Sequence, residues 1–107
     1  MIPLEHYLYL SGMLFTLGLC GVMMRRNVIL VLMSVEIMLN AANLALVAFN
    51  KHLVLAPGAT ASPDGQVMVF FTIAVAAAEA AVALVIAMAM FRRLDTVNVD
   101  DVANLRW

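Results

Sequence analysis

The chain has 107 residues, of which 65% are hydrophobic and 12% charged, with a mean hydropathy of +1.02. Such a composition cannot cover a water-facing surface, and it places the chain among membrane proteins. The formal net charge of -1 lacks the strongly basic balance of a nucleic-acid binder, and the single cysteine, Cys20, excludes an internal disulfide.

The first apolar stretch runs from about residue 4 to 24. The residues that lead into it, Met1-Ile-Pro-Leu-Glu-His6, lack the basic region and small-residue cleavage site of a secretory signal, so the stretch is expected to stay as a span. The second runs over 28–49 and the third over 67–91. Each has roughly the 20 residues that a helix rising 1.5 Å per residue needs to cross a hydrocarbon core of about 30 Å. Alanine, leucine and methionine dominate and the period-two alternation of barrel strands is missing, which points to helices. The expected fold is an all-α membrane protein with three transmembrane helices in one domain, 1–107.

The connections are unequal. Arg25-Arg26-Asn27 is so short that the first two spans must form a tight antiparallel hairpin. The second connection, 50–66, contains Pro57-Gly58 and Ser62-Pro63-Asp64-Gly65 and reads as an irregular loop. Residues 94–107 form a polar tail. Arg25, Arg26, Arg92, Arg93 and Arg106 fall on one side of the membrane and only Lys51 on the other, so the positive-inside rule places the N-terminus outside and the C-terminus in the cytoplasm. Topology alone accounts for these arginines. A rigid turn of two arginines also suits an anionic group on a partner, and Arg25 and Arg26 are candidates for that role.

Two carboxylic acids, Glu36 and Glu79, lie inside the second and third spans. An ionisable group at such depth costs about 3 kcal/mol or more, and those that persist face partners, water or a proton path. Glu36 lies about 15 Å along its helix from Arg26, and Glu79 about 20 Å from Arg92, so their depths are similar. Helices pack with axes about 8 to 10 Å apart, and carboxyl groups at that separation can be bridged by a few waters. A lateral proton hop suits the arrangement better than a pore through this one chain. Asn40 and Asn43, four and seven residues after Glu36, extend a polar stripe on its helix. Glu79 sits instead among alanines, which allow close helix approach or room for water. Burial favours the neutral acid, whereas hydration or a nearby cation opposes it. The plain alternative is that each acid stays protonated and serves packing through a hydrogen bond at a subunit interface.

The remaining residues carry weaker signals. Gly12, Gly18 and Gly21 are expected to let the first helix approach another closely. The methionines suit adaptable packing, and His6 and His52 are separate, so no metal is expected. No phosphate-binding loop or nucleophile-base arrangement appears, so no cofactor is expected on this chain.

Several of these segments carry a specific resemblance. Ile2-Pro-Leu-Glu-His6, Gly21-Val-Met-Met-Arg-Arg-Asn27 and Leu32-Met-Ser-Val-Glu-Ile-Met-Leu-Asn-Ala-Ala-Asn-Leu44 resemble the K subunit of bacterial NADH:quinone oxidoreductase, respiratory complex I, the counterpart of the mitochondrial 4L subunit. Asp64-Gly-Gln-Val67 and Ile73-Ala-Val-Ala-Ala-Ala-Glu-Ala-Ala-Val82 resemble the start and middle of that subunit's third helix. The resemblance covers residues 2 to about 93. It implies that Glu36 and Glu79 take part in proton translocation and that Arg25 and Arg26 contribute to coupling. It implies further that NADH, FMN, iron-sulfur clusters and quinone reside on other subunits. The chain would then lie in the membrane arm, in the bacterial cytoplasmic (inner) membrane, between the quinone-junction and antiporter-like subunits.

Three other functions compete. The C subunit of multisubunit cation/proton antiporters is similar in fold but works without NADH or quinone, and neighbouring genes discriminate the two. A small multidrug transporter needs four spans with its acid within the first, and the first span here has none beyond Glu5 at its very start. A purely structural interaction protein predicts that replacing Glu36 leaves coupled turnover intact.

Overall fold

The computed structural model describes residues 2–59, 62, 64–95 and 98–102. Arg106, Pro63 and the tail beyond residue 102, which entered the reading of topology and loops, lie outside the described residues. Three long helices are present: α1, Leu4–Met24; α2, Val28–Val54; and α3, Asp64–Leu94. A fourth, α4, is a single turn at Val99–Val102. All three long helices are long and apolar enough to cross a membrane.

The helix ends follow from local chemistry. Asn27 precedes α2, and its side-chain Oδ1 accepts a hydrogen bond from the Ile29 N–H at 2.9 Å, which satisfies one of the donors that a helix start leaves free. At the far end of α3, Asp95 adopts a φ of 56°, and its N–H donates to the Phe91 carbonyl at 2.7 Å. The chain therefore reverses there through a left-handed residue, a role usually given to glycine or asparagine.

Both α2 and α3 are longer than their apolar stretches. Helix α2 continues over 50–54, and α3 begins at Asp64 rather than near Val67, so the irregular part of the second connection is shorter than the sequence suggests. Lys51 and His52 stand in the last turn of α2 and Asp64 in the first turn of α3. Cations at a helix C-terminus and an acid at an N-terminus are favoured by the helix dipole, so polar residues extend the helices past the apolar core.

Helix α2 is the central element, and both α1 and α3 pack against it. Its buried Ser34, Ala41 and Ala48 face α1, whereas Asn43 and Asn50 meet α3 on the opposite side. The helices thus form a row, and the molecule measures 64 × 24 × 20 Å. Its core is slight: among the described residues, Ala41, Ala48, Val69 and Ala87 are the buried apolar ones.

The α1–α2 hairpin is set by small residues. A Cβ built on Gly18 would lie 2.5 Å from Met38 Cγ and 2.7 Å from the Ser34 carbonyl oxygen, and one on Gly21 would collide with the Ser34 side chain. These two glycines bring α1 onto α2, as their spacing suggests. Gly12 does not: a Cβ there would meet nothing within 4 Å. It lies on an open groove of α1 with Tyr9, Met13, Thr16 and Cys20. The hairpin gains one further tie, from Ser11 Oγ to the Ala41 carbonyl at 2.6 Å.

Candidate functional site

The seam between α2 and α3 carries both acids, and its register can be read from two contacts. At one end, a Cβ on Gly65 would lie 2.7 Å from Asn50 Cβ. Seven residues along each helix, Thr72 Oγ1 donates to Asn43 Oδ1 at 2.7 Å. The helices are antiparallel, so a further step of seven brings Glu36 level with Glu79. The neighbouring residues agree, since Glu36 shares a groove with Ala80 and Leu39 shares one with Ala76. The matched depth inferred from distance to the arginines is therefore present in the helix register.

Level does not mean touching. Glu36 lines a groove of about 310 Å³ with Ile29, Leu32 and Met33 of its own helix and Ala80, Ala81 and Leu84 of α3. Glu79 lines another, of about 390 Å³, with Leu39 of α2 and Met68, Phe71, Thr72, Val75 and Ala76 of its own helix. On the helical wheel of α3 these two sets fall on either side of the stripe Ala76, Ala80, Ala83 and Ala87 that faces α2. The acids thus open to opposite flanks of one alanine-lined seam. Glu36 is half-buried and Glu79 exposed, and neither makes a hydrogen bond or ion pair among the described residues.

The polar stripe beside Glu36 divides. Asn43 turns into the seam and meets Thr72, whereas Asn40 is exposed and makes no hydrogen bond among the described residues. Thr72 is the site residue that sequence reasoning passed over. Its signal was available: it is the one hydroxyl in the apolar run before Glu79 and lies seven residues before that acid, as Asn43 lies seven after Glu36. Thr72 also donates to the Val69 carbonyl at 2.8 Å. One hydroxyl proton thus has two acceptors within reach, and an amide turned end for end donates to the hydroxyl instead.

Arg25 and Arg26 are distant from the acids along the helices and stand at the α1–α2 turn. Arg26 Nε lies 3.2 Å from Asp100 Oδ2, with both side chains largely exposed. Arg25 makes no ion pair among the described residues. No group of three or more histidine, cysteine, aspartate or glutamate side chains that could hold a metal occurs among the described residues.

Comparison with known proteins identifies the family of the chain. The family model described as NADH-ubiquinone/plastoquinone oxidoreductase chain 4L matches residues 6–107. The NADH-quinone oxidoreductase subunit K of Deinococcus radiodurans is 52% identical over 106 residues, which cover 99% of this chain and 96% of that protein. The subunit K of an Anaeromyxobacter species is 50% identical over 98% of both chains. That of Bdellovibrio bacteriovorus is 51% identical over 92% of this chain and 85% of its own length. With a family match over nearly its whole length and relatives at half identity, the chain belongs to the chain 4L, or subunit K, family of NADH-quinone oxidoreductases.

Proposed function

We propose that this chain is a membrane-arm subunit of a proton-translocating NADH:quinone oxidoreductase, in which Glu36 and Glu79 relay protons laterally during redox-coupled pumping. It is a multi-pass protein of the bacterial cytoplasmic membrane, with its N-terminus outside and its C-terminus in the cytoplasm. Its neighbours are the quinone-junction and antiporter-like subunits, and NADH, FMN, iron-sulfur clusters and quinone belong to other chains. The observation that carries the relay is the register of α2 and α3, which sets the two acids at one depth. Two acids level with each other but open to opposite flanks suit transfer in the plane of the membrane. A proton arriving at one flank leaves from the other by crossing between helix axes about 8 to 10 Å apart, a gap that a short water chain spans.

Catalysis at the redox centres is not the work of this chain. Its contribution is to hold and release protons at the two carboxyl groups, with Asn43 and Thr72 fixing the helix pair that presents them. Replacing Glu36 by Gln keeps size and hydrogen bonding but removes the titrating proton. In membranes with normal complex content, Glu36→Gln is expected to lower coupled quinone reduction and pumping together by about tenfold or more, since a positioned proton-transfer group supplies about 10² to 10⁴-fold. Full pumping in that variant removes Glu36 from the path.

A further inference from the structure

The start of the polar tail packs back onto the chain. After Asp95 reverses α3, the Val99 N–H donates to the Arg26 carbonyl at 3.0 Å, and Asn98 pairs with Asn27 as an antiparallel bridge. One residue further along, Asp100 meets the Arg26 side chain. Three consecutive tail residues thus engage two consecutive turn residues. They connect the end of α3 to the turn that joins α1 and α2.

We infer that residues 98–100 form a clasp that positions the Arg25-Arg26 turn, with Asp100 committing Arg26 to the chain itself and leaving Arg25 to face an anionic group of a neighbouring subunit. The ion pair alone is too weak to do this, because side chains 79% and 63% exposed are well screened by water and salt. The backbone pairing supplies the hold, and the ion pair selects which arginine is taken. Asp100 acts through Arg26 and is a positioning residue. The inference about Arg25 rests on the proposed role in complex I, whereas the clasp itself does not.

The clasp is tested in the assembled complex in native membranes, on a Cys20→Ser background. Paired residues on antiparallel strands have Cα atoms about 4.5 to 5.5 Å apart, which a disulfide can bridge. Asn27→Cys combined with Asn98→Cys is expected to cross-link on mild oxidation, so that tryptic peptides 27–51 and 94–106 are recovered as one disulfide-linked species. Normal complex content without that species overturns the clasp. Because Asn27 also caps α2, a second arm uses charge alone. Arg26→Asp and Asp100→Arg are each expected to lower coupled turnover, and the two together to restore it above either single variant. No restoration at matched complex content overturns the positioning role of Asp100. Arg25→Gln is expected to lower turnover whether or not the clasp is cross-linked, and unchanged turnover overturns its assignment. Full pumping in Glu36→Gln would defeat the proton relay and leave the cross-link as it is, so the two failures are distinguishable.

Discussion

Asn43 and Thr72 are joined across the α2–α3 seam by a 2.7 Å hydrogen bond, and this contact fixes the register that sets Glu36 opposite Glu79 two helical turns away. The bond lies at the helix pair's interior and is part-buried. Its loss therefore affects both stability and the placement of the acids.

Removing one partner of that bond leaves the other polar group facing an apolar seam. Interhelical hydrogen bonds in membranes average about 0.6 kcal/mol and reach about 1.7 kcal/mol in double-mutant cycles. Thr72→Val and Asn43→Leu are each expected to destabilise the subunit within the complex, and the double variant to cost less than their sum by about 0.6 kcal/mol. Thermal dissociation of the purified complex measures this cycle. Strict additivity would mean that the contact contributes nothing to the pairing.

The position of the acid on α2 gives a second test. In a Glu36→Ala background, an acid introduced at Asn43 remains in the seam at about 10 Å displacement and can accept the Thr72 hydroxyl proton. An acid at Asn40 faces outward, and one at Ile37 points about 100° away from Glu36. Pumping in membrane vesicles is expected to recover partly with Asn43→Glu, less with Asn40→Glu and not with Ile37→Glu. Equal recovery at all three positions would argue against a directional track.

The glycines of α1 separate by their surroundings. Gly18→Ala forces a methyl against Met38 and the Ser34 carbonyl, and overpacking of this kind typically costs about 1 to 3 kcal/mol. Gly12→Ala meets open space and gains up to about 1 kcal/mol of helix propensity. Complex content in membranes should fall with the first and hold with the second. Equal loss in both would place another subunit tightly against Gly12.

Orientation has its own measurement. A reporter fused after Trp107 is expected to be active only in the cytoplasm, because Arg25, Arg26, Arg92 and Arg93 gather at one end of the helices. Activity outside would invert the assignment and reverse the direction proposed for proton approach to Glu36.

The three helices were legible because apolar length is a strong signal, and the acids because ionisable groups stand out within it. What apolar counting missed was polar. Residues 50–54 and 64–66 are helical, yet their Lys51, His52 and Asp64 read as loop. Their fit to the helix dipole is a matter of which end they occupy, and that is known only once the helix is placed. Gly12, Gly18 and Gly21 look alike in sequence, but only the rotation of α1 against α2 shows that Gly12 faces away. Asn43 could be placed on the stripe of Glu36, but its partner Thr72 emerged only with the register of α3. The tail's hold on Arg26 and Asn27 has no sequence signature, since it uses backbone groups and one exposed ion pair.

The row of helices, with four buried apolar residues among those described, three of them alanine, has a consequence for assembly. Leu, Phe and Met side chains lie outward on every long helix, so the subunit brings little cohesion of its own beyond the Gly18 and Gly21 hairpin. Helix α3 joins that hairpin along a narrow alanine seam, tied by the Asn43–Thr72 bond and, past its end, by the contacts of residues 98–100 with Arg26 and Asn27. The chain by itself therefore leaves two broad apolar sides uncovered, which lipid or neighbouring subunits must cover. The acids are set level within the chain itself, so what assembly has to supply is the cover of its outer faces and not their pairing.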